Sequence, residues 1–137
     1  MAIALDRRLK GTTLQQLGEL RLADAWVLLK AKAPKHRNGA VYLGGYSIEC
    51  ALKARICRDR GADTLPPEFY SHSFHFLAEK TTLWPKLQSD ERIMQLFVYL
   101  ESEWAVQLRY HMRVLDPHHV RNFLNKSKDF TQWLFVN

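Results

Sequence analysis

Residues 38–60 read NGAVYLGGYSIECALKARICRDR. Leu43, Tyr46, Cys50, Ala54 and Cys57 recur at helical spacing, and Val41, Ile48, Leu52 and Ile56 form a second apolar stripe. A helix that is apolar around so much of its circumference belongs at the centre of a bundle. Gly44 and Gly45 oppose that reading, because each glycine costs a helix interior about 1 kcal/mol relative to alanine. The periodicity runs through them unbroken. The stretch is therefore read as one helix from about Asn38 to Arg60, with a glycine pair that lets another backbone come close. Gly61 is its stop signal.

The same periodicity spreads outward. Leu22, Trp26, Leu29 and Ala33 mark a preceding helix over about Thr13–Ala33, capped by Thr12 or Thr13 and ended by Pro34. The short polar loop 34–38 predicts an antiparallel neighbour. After the Pro-containing loop 61–71, Ser71 or Ser73 can cap a short third helix from His72 to about Leu83, which Trp84-Pro85 breaks. Asp90 opens a fourth segment marked by Ile93, Phe97, Leu100, Trp104 and Leu108, and its pattern fades over Arg109–Arg113. Asp116 and Pro117 suit the N-cap and first position of a last helix, to about Phe135, with Val120, Phe123, Leu124, Phe130 and Leu134 inward. The fold class is all-α: an up-and-down bundle of four long helices plus one short helix, in a single domain over 1–137 with its core at about 14–135.

Composition agrees. The 137 residues are 47% hydrophobic and 25% charged, the balance of one globular domain, and exclude a disordered or low-complexity chain. No apolar run approaches the ~18 residues of a membrane span, and the charges in MAIALDRRLK follow too short an apolar stretch for a signal peptide. A cytoplasmic protein with no membrane association is expected. Cys50 and Cys57 would lie about 10 Å apart along a helix, too far for a disulfide, and are read as buried thiols of a reducing compartment.

Charge is uneven. The chain carries +6 overall, residues 1–60 +7 and residues 61–137 −1. The densest basic run is Lys30, Lys32, Lys35, His36 and Arg37. A basic half raises the local concentration of a polyanion such as RNA. Arg109, Tyr110, His111, Met112 and Arg113 make a second cationic and aromatic cluster that suits a phosphate and a base. His72 and His75 share a helix face, but no third metal ligand is evident, and no metal or cofactor is expected. No phosphate-binding glycine loop, nucleophile elbow or zinc finger is present.

The run from Tyr42 to Ala54 resembles the second-helix signature of the HEPN family (higher-eukaryote and prokaryote nucleotide-binding domains): a small residue before Tyr46, an apolar–Glu step at Ile48-Glu49, then Leu52-Lys53-Ala54. His72 with Phe76 and Leu77 looks like that family's entry to its third helix, Arg109-Tyr110 resembles its Arg-Tyr pair, and the last helix ends similarly at Trp133-Leu134. The resemblance spans roughly residues 14–135. It implies a helical bundle that forms a homodimer. Many members are metal-independent ribonucleases of toxin–antitoxin or defence systems; others are non-catalytic partners of a minimal nucleotidyltransferase.

Nuclease members carry an Arg, four to six residues, then a His. Here Arg113 precedes His118 by four intervening residues and His119 by five. Metal-independent RNA cleavage needs a titratable group to move the 2′-OH proton and a permanent cation for the phosphorane charge, and imidazole and guanidinium meet those needs. Arg113 is the expected phosphate stabiliser and His118 the expected acid/base, with His119 as the substitute candidate. Val114 and Pro117 depart from the nuclease pattern, Pro117 placing the pair across a helix junction. Arg109, Tyr110, His111, Glu49, Tyr46 and Lys53 are the expected RNA- or nucleotide-binding set. Glu49 and Lys53 stand four apart, and Glu49, among apolar neighbours, is expected to be buried and to pair with Arg109. Three functions remain open: a ribonuclease with a nucleotidyltransferase antitoxin, a binding module without cleavage, and a dimerisation module.

Overall fold

The computed structural model describes residues 8–110 and 115–137, without the side chains of Val106 and Arg109. Six α-helices follow one another: α1 Gly11–Lys30, α2 Arg37–Arg60, α3 Phe74–Glu79, α4 Trp84–Ser89, α5 Glu91–Glu103 and α6 Pro117–Val136. Single 3-10 turns stand at Pro34–His36, Pro67–Phe69 and Val106–Tyr110. Among the described residues the only extended pairing is one bridge between Lys10 and Thr64. The all-α class expected from periodicity is the class observed.

Helix ends explain the differences in detail. α1 stops three residues before the expected Ala33, where Lys32 takes φ 57° and Ala33 is extended ahead of Pro34. Residues Trp84-Pro85, expected to break a helix, instead open α4, because a proline in the first turn surrenders only an N–H that had no partner. There are thus two short helices, not one. α5 ends at Glu103, five residues before Leu108, since Trp104 is extended and Leu108 falls in a 3-10 turn. The expected caps Ser73, Asp90 and Asp116 accept from the backbone N–H groups of Phe76, Ile93 and His118. Gly61, at φ 59°, ends α2 in the left-handed region that a side chain resists.

α2 is the central helix, with Val41, Ile48, Cys50, Leu52, Ile56 and Cys57 all buried. α1 runs antiparallel along it: Gly11 faces Cys57, Gly18 faces Cys50 and Ser47, and Gly39 faces Leu28. α6 runs parallel to α2, with Leu124 against Gly44 and the carbonyls of Leu134 and Phe135 held by Arg55 and Arg58. α5 is antiparallel to α6, pairing Glu103 with His119 and Tyr99 with Asn122. The four long helices therefore alternate in direction. Phe97, Phe123 and Phe130 fill the centre, with Phe97 and Phe130 5.6 Å apart.

Candidate functional site

The α6 N-terminus is set by local chemistry. Asp116 Oδ1 accepts the His118 N–H at 2.7 Å, and Pro117 starts the first turn. Hydrogen bonds from the backbone N–H groups of His118 and His119, with the charges of His118 and Arg37, hold the Asp116 carboxyl below the usual carboxylate range. His118 is exposed. His119 is partly buried, and its Nε2 lies 2.8 Å from Oε2 of Glu103, the last residue of α5. Arg37, the first residue of α2, donates from Nη1 to the Leu115 carbonyl at 2.8 Å. This bond brings Arg37 to the residue preceding Asp116, joining positions 78 residues apart in the chain.

The Glu103–His119 pair has chemical consequences. A carboxylate bonded to one ring nitrogen fixes the imidazole's orientation, leaving the other ring nitrogen to face a ligand. Glu103 is reachable because α5 ends there: Trp104 leaves the helix, donates Nε1–H to the Tyr42 carbonyl at 3.1 Å, and stacks on Phe74 at 4.8 Å.

The second expected group gathers further along α2. Tyr42, Tyr46, Glu49 and Lys53 lie on one face at helical spacing. Glu49 is 2% exposed and Lys53 7%. Lys53 Nζ donates to Glu49 Oε1 at 2.6 Å, and His72 Nδ1 stands 3.1 Å from Oε2. Glu49 thus finds its buried cation one turn along its own helix and its second partner in the loop before α3. The expected partner, Arg109, has its side chain outside the described residues. Burial, helped by neighbouring Cys50, pushes the Tyr46 hydroxyl up to about 12, and burial with the charge of Glu49 pushes the Cys50 thiol up to about 11.

The expected site residues therefore fall into two clusters. One holds His118 and His119; the other holds Tyr46, Glu49 and Lys53. Tyr110 is exposed in the 3-10 turn after α5. His111 and Arg113 lie outside the described residues. Sequence reading missed Glu103 as the partner of His119 and Arg37 as the partner of the Leu115 carbonyl. No short-range signal marks either, since both meet residues on another helix or beyond it. Elsewhere, His75 bonds Glu79 at 2.8 Å and stands 3.5 Å from Glu101. Among the described residues no three His, Cys, Asp or Glu side chains form a group able to hold a metal ion. No helix there is long and apolar enough to cross a membrane.

None of the protein-family models, curated proteins or solved structures compared with the chain matches it.

Proposed function

We propose that the chain is a metal-independent ribonuclease of HEPN type, acting at the N-terminal end of α6. The observation that carries this reading is the 2.8 Å contact between His119 and Glu103 at the start of α6, where Arg37 also bonds the Leu115 carbonyl. His119, oriented by Glu103, takes the proton of the 2′-OH. The freed oxygen attacks the adjacent phosphorus as the P–O5′ bond breaks, His118 or water gives the leaving 5′-oxygen its proton, and a 2′,3′-cyclic phosphate remains. Arg37 and the expected Arg113 supply positive charge for the phosphorane. His118, exposed in the same turn, is the other candidate proton carrier. Arg109, Tyr110 and His111 extend the RNA contact. A homodimer, a cognate nucleotidyltransferase antitoxin and a cytoplasmic setting complete the proposal.

Cleavage of unstructured RNA in EDTA tests it. The expected result is cutting by the wild-type chain and a loss of about 100-fold or more in His119→Ala and Arg113→Ala. Glu103→Gln should retain RNA binding while lowering the cleavage rate, because it loosens the orientation of His119. RNA that is bound with a steep salt dependence but stays intact would replace the nuclease by a binding module. An active His119→Ala variant alongside an inactive His118→Ala variant would transfer the proton-carrying role to His118.

A further inference from the structure

Helices α5 and α6 meet along a polar seam that begins at the candidate site. Arg92, Gln95, Tyr99 and Glu103 recur along one edge of α5, and His119, Asn122, Lys126 and Asp129 along the facing edge of α6. The helices run antiparallel, so the two edges pair rung by rung. Glu103 bonds His119 at 2.8 Å, Asn122 donates to the Tyr99 hydroxyl at 3.1 Å, and the Lys126 ammonium stands 5.2 Å from the centre of the Tyr99 ring. Beyond that rung lies a recess of about 220 Å³, lined by Arg92, Gln95, Leu96, Lys126 and Asp129. From His119 to Lys126 the seam covers seven residues of α6, about 10 Å at a rise of 1.5 Å per residue.

The polar groups of this seam are open to a ligand. In α1 and α2, Arg21, Lys53 and Arg55 are each bonded to a carboxylate three or four residues away. Asp129 stands three residues from Lys126 and lines the same recess, yet among the described residues neither Lys126 nor Arg92 is in an ion pair. The Asn122–Tyr99 bond leaves Asn122 Oδ1 and the Tyr99 O–H proton without a partner among the described residues. The seam therefore offers an imidazole, then an aromatic ring with an amide, then two cations. That order matches a single strand of RNA, which presents a reacting phosphate, a base and a further phosphate. We infer that the α5–α6 seam carries the single-stranded substrate away from His119, with Tyr99 and Asn122 against a base and Arg92 and Lys126 on a backbone phosphate. The inference rests on the ribonuclease reading, which puts the reacting phosphate at His119. Asp129, the one carboxylate of the recess, opposes the contact and so provides a second handle on it.

The test separates binding from cleavage. Its probe is a fluorescein-labelled oligouridylate of about eight nucleotides whose 2′-O-methyl riboses lack the attacking hydroxyl. Anisotropy over a salt series should show the full chain binding it. Arg92→Ala/Lys126→Ala should bind at least about tenfold more weakly, with the slope of log affinity against log salt shallower by about 1. Asp129→Asn should bind more tightly. Lys80 and Lys86 are exposed near α3 and α4, and Lys80→Ala/Lys86→Ala, which removes the same charge there, should bind as the wild type does. Melting temperatures should be unchanged throughout. An equal loss in the Lys80/Lys86 pair would reduce the effect to net charge and overturn the proposal, as would undiminished binding by Arg92→Ala/Lys126→Ala. Ordinary RNA distinguishes the two readings. RNA bound through Arg92 and Lys126 but left intact removes the nuclease and keeps the seam. RNA cut with equal kcat/KM by the wild type and Arg92→Ala/Lys126→Ala keeps the nuclease and removes the seam.

Discussion

The indole of Trp104 occupies the space in which residue 45 would carry a side chain. A Cβ built on Gly45 lies 2.0 Å from Trp104 Cδ1 and 2.1 Å from Nε1. The ring cannot easily yield, because its Nε1 is bonded to the Tyr42 carbonyl and its face stacks on Phe74. One glycine on the central helix thereby fixes where α5 ends, and the end of α5 places Glu103 against His119.

Gly45→Ala should destabilise the fold by about 3 kcal/mol, the order expected when a methyl is forced into filled space. Gly39→Ala on the same helix is the control. There the nearest atom is the flexible tip of Leu28 at 3.3 Å, so the helix-propensity gain of up to about 1 kcal/mol should leave it neutral or slightly stabilised. Urea denaturation of the two variants measures the contrast.

The buried Glu49–Lys53 pair should show strong coupling. Glu49→Gln leaves the Lys53 ammonium without its counter-charge and should lose about 3 kcal/mol. The double variant Glu49→Gln/Lys53→Met should lose much less than the sum of the single changes. His72→Ala should cost less than Glu49→Gln, because His72 is largely exposed. A double-mutant cycle checks all three.

The depressed Asp116 carboxyl predicts an acid-sensitive start to α6. A carboxyl lower in the folded than in the unfolded state adds stability above its unfolded value. That contribution fades as pH falls through the folded value. Thermal melts from neutral pH to below the carboxylate range should therefore fall more steeply for the wild-type chain than for Asp116→Asn. The asparagine keeps the cap without the titrating charge.

Both cysteines should be inert in the folded protein. Cys50 and Cys57 are buried and unpaired, and burial raises both thiols, Cys50 to about 11. An aromatic disulfide reagent at neutral pH should find no reactive thiol in the native chain and two after denaturation. Immediate reaction of one thiol in the native protein would contradict this burial.

Helices were legible where the code is local. The two apolar stripes of residues 38–60 marked the central helix through Gly44 and Gly45, and the caps at Ser73, Asp90 and Asp116 act over two or three residues. Helix ends governed by distant packing were not legible. Periodicity alone carried α5 on to Leu108, whereas Trp104 turns away at Gly45 to fill the gap that only an assembled bundle creates.

By itself the sequence determined an all-α chain, a central helix, a glycine pair awaiting a close neighbour, and a pair of histidines at the start of the last helix. Local periodicity and capping suffice for each of these. Only the tertiary structure decided that Glu103 meets His119, that Arg37 reaches Leu115, that Glu49 pairs with Lys53 and His72, and that Tyr99 meets Asn122. Except for the turn-length Glu49–Lys53 pair, these relationships join segments far apart in the chain. They arise from how complementary surfaces fill space, and hydrophobic spacing along one strand of sequence carries no record of that.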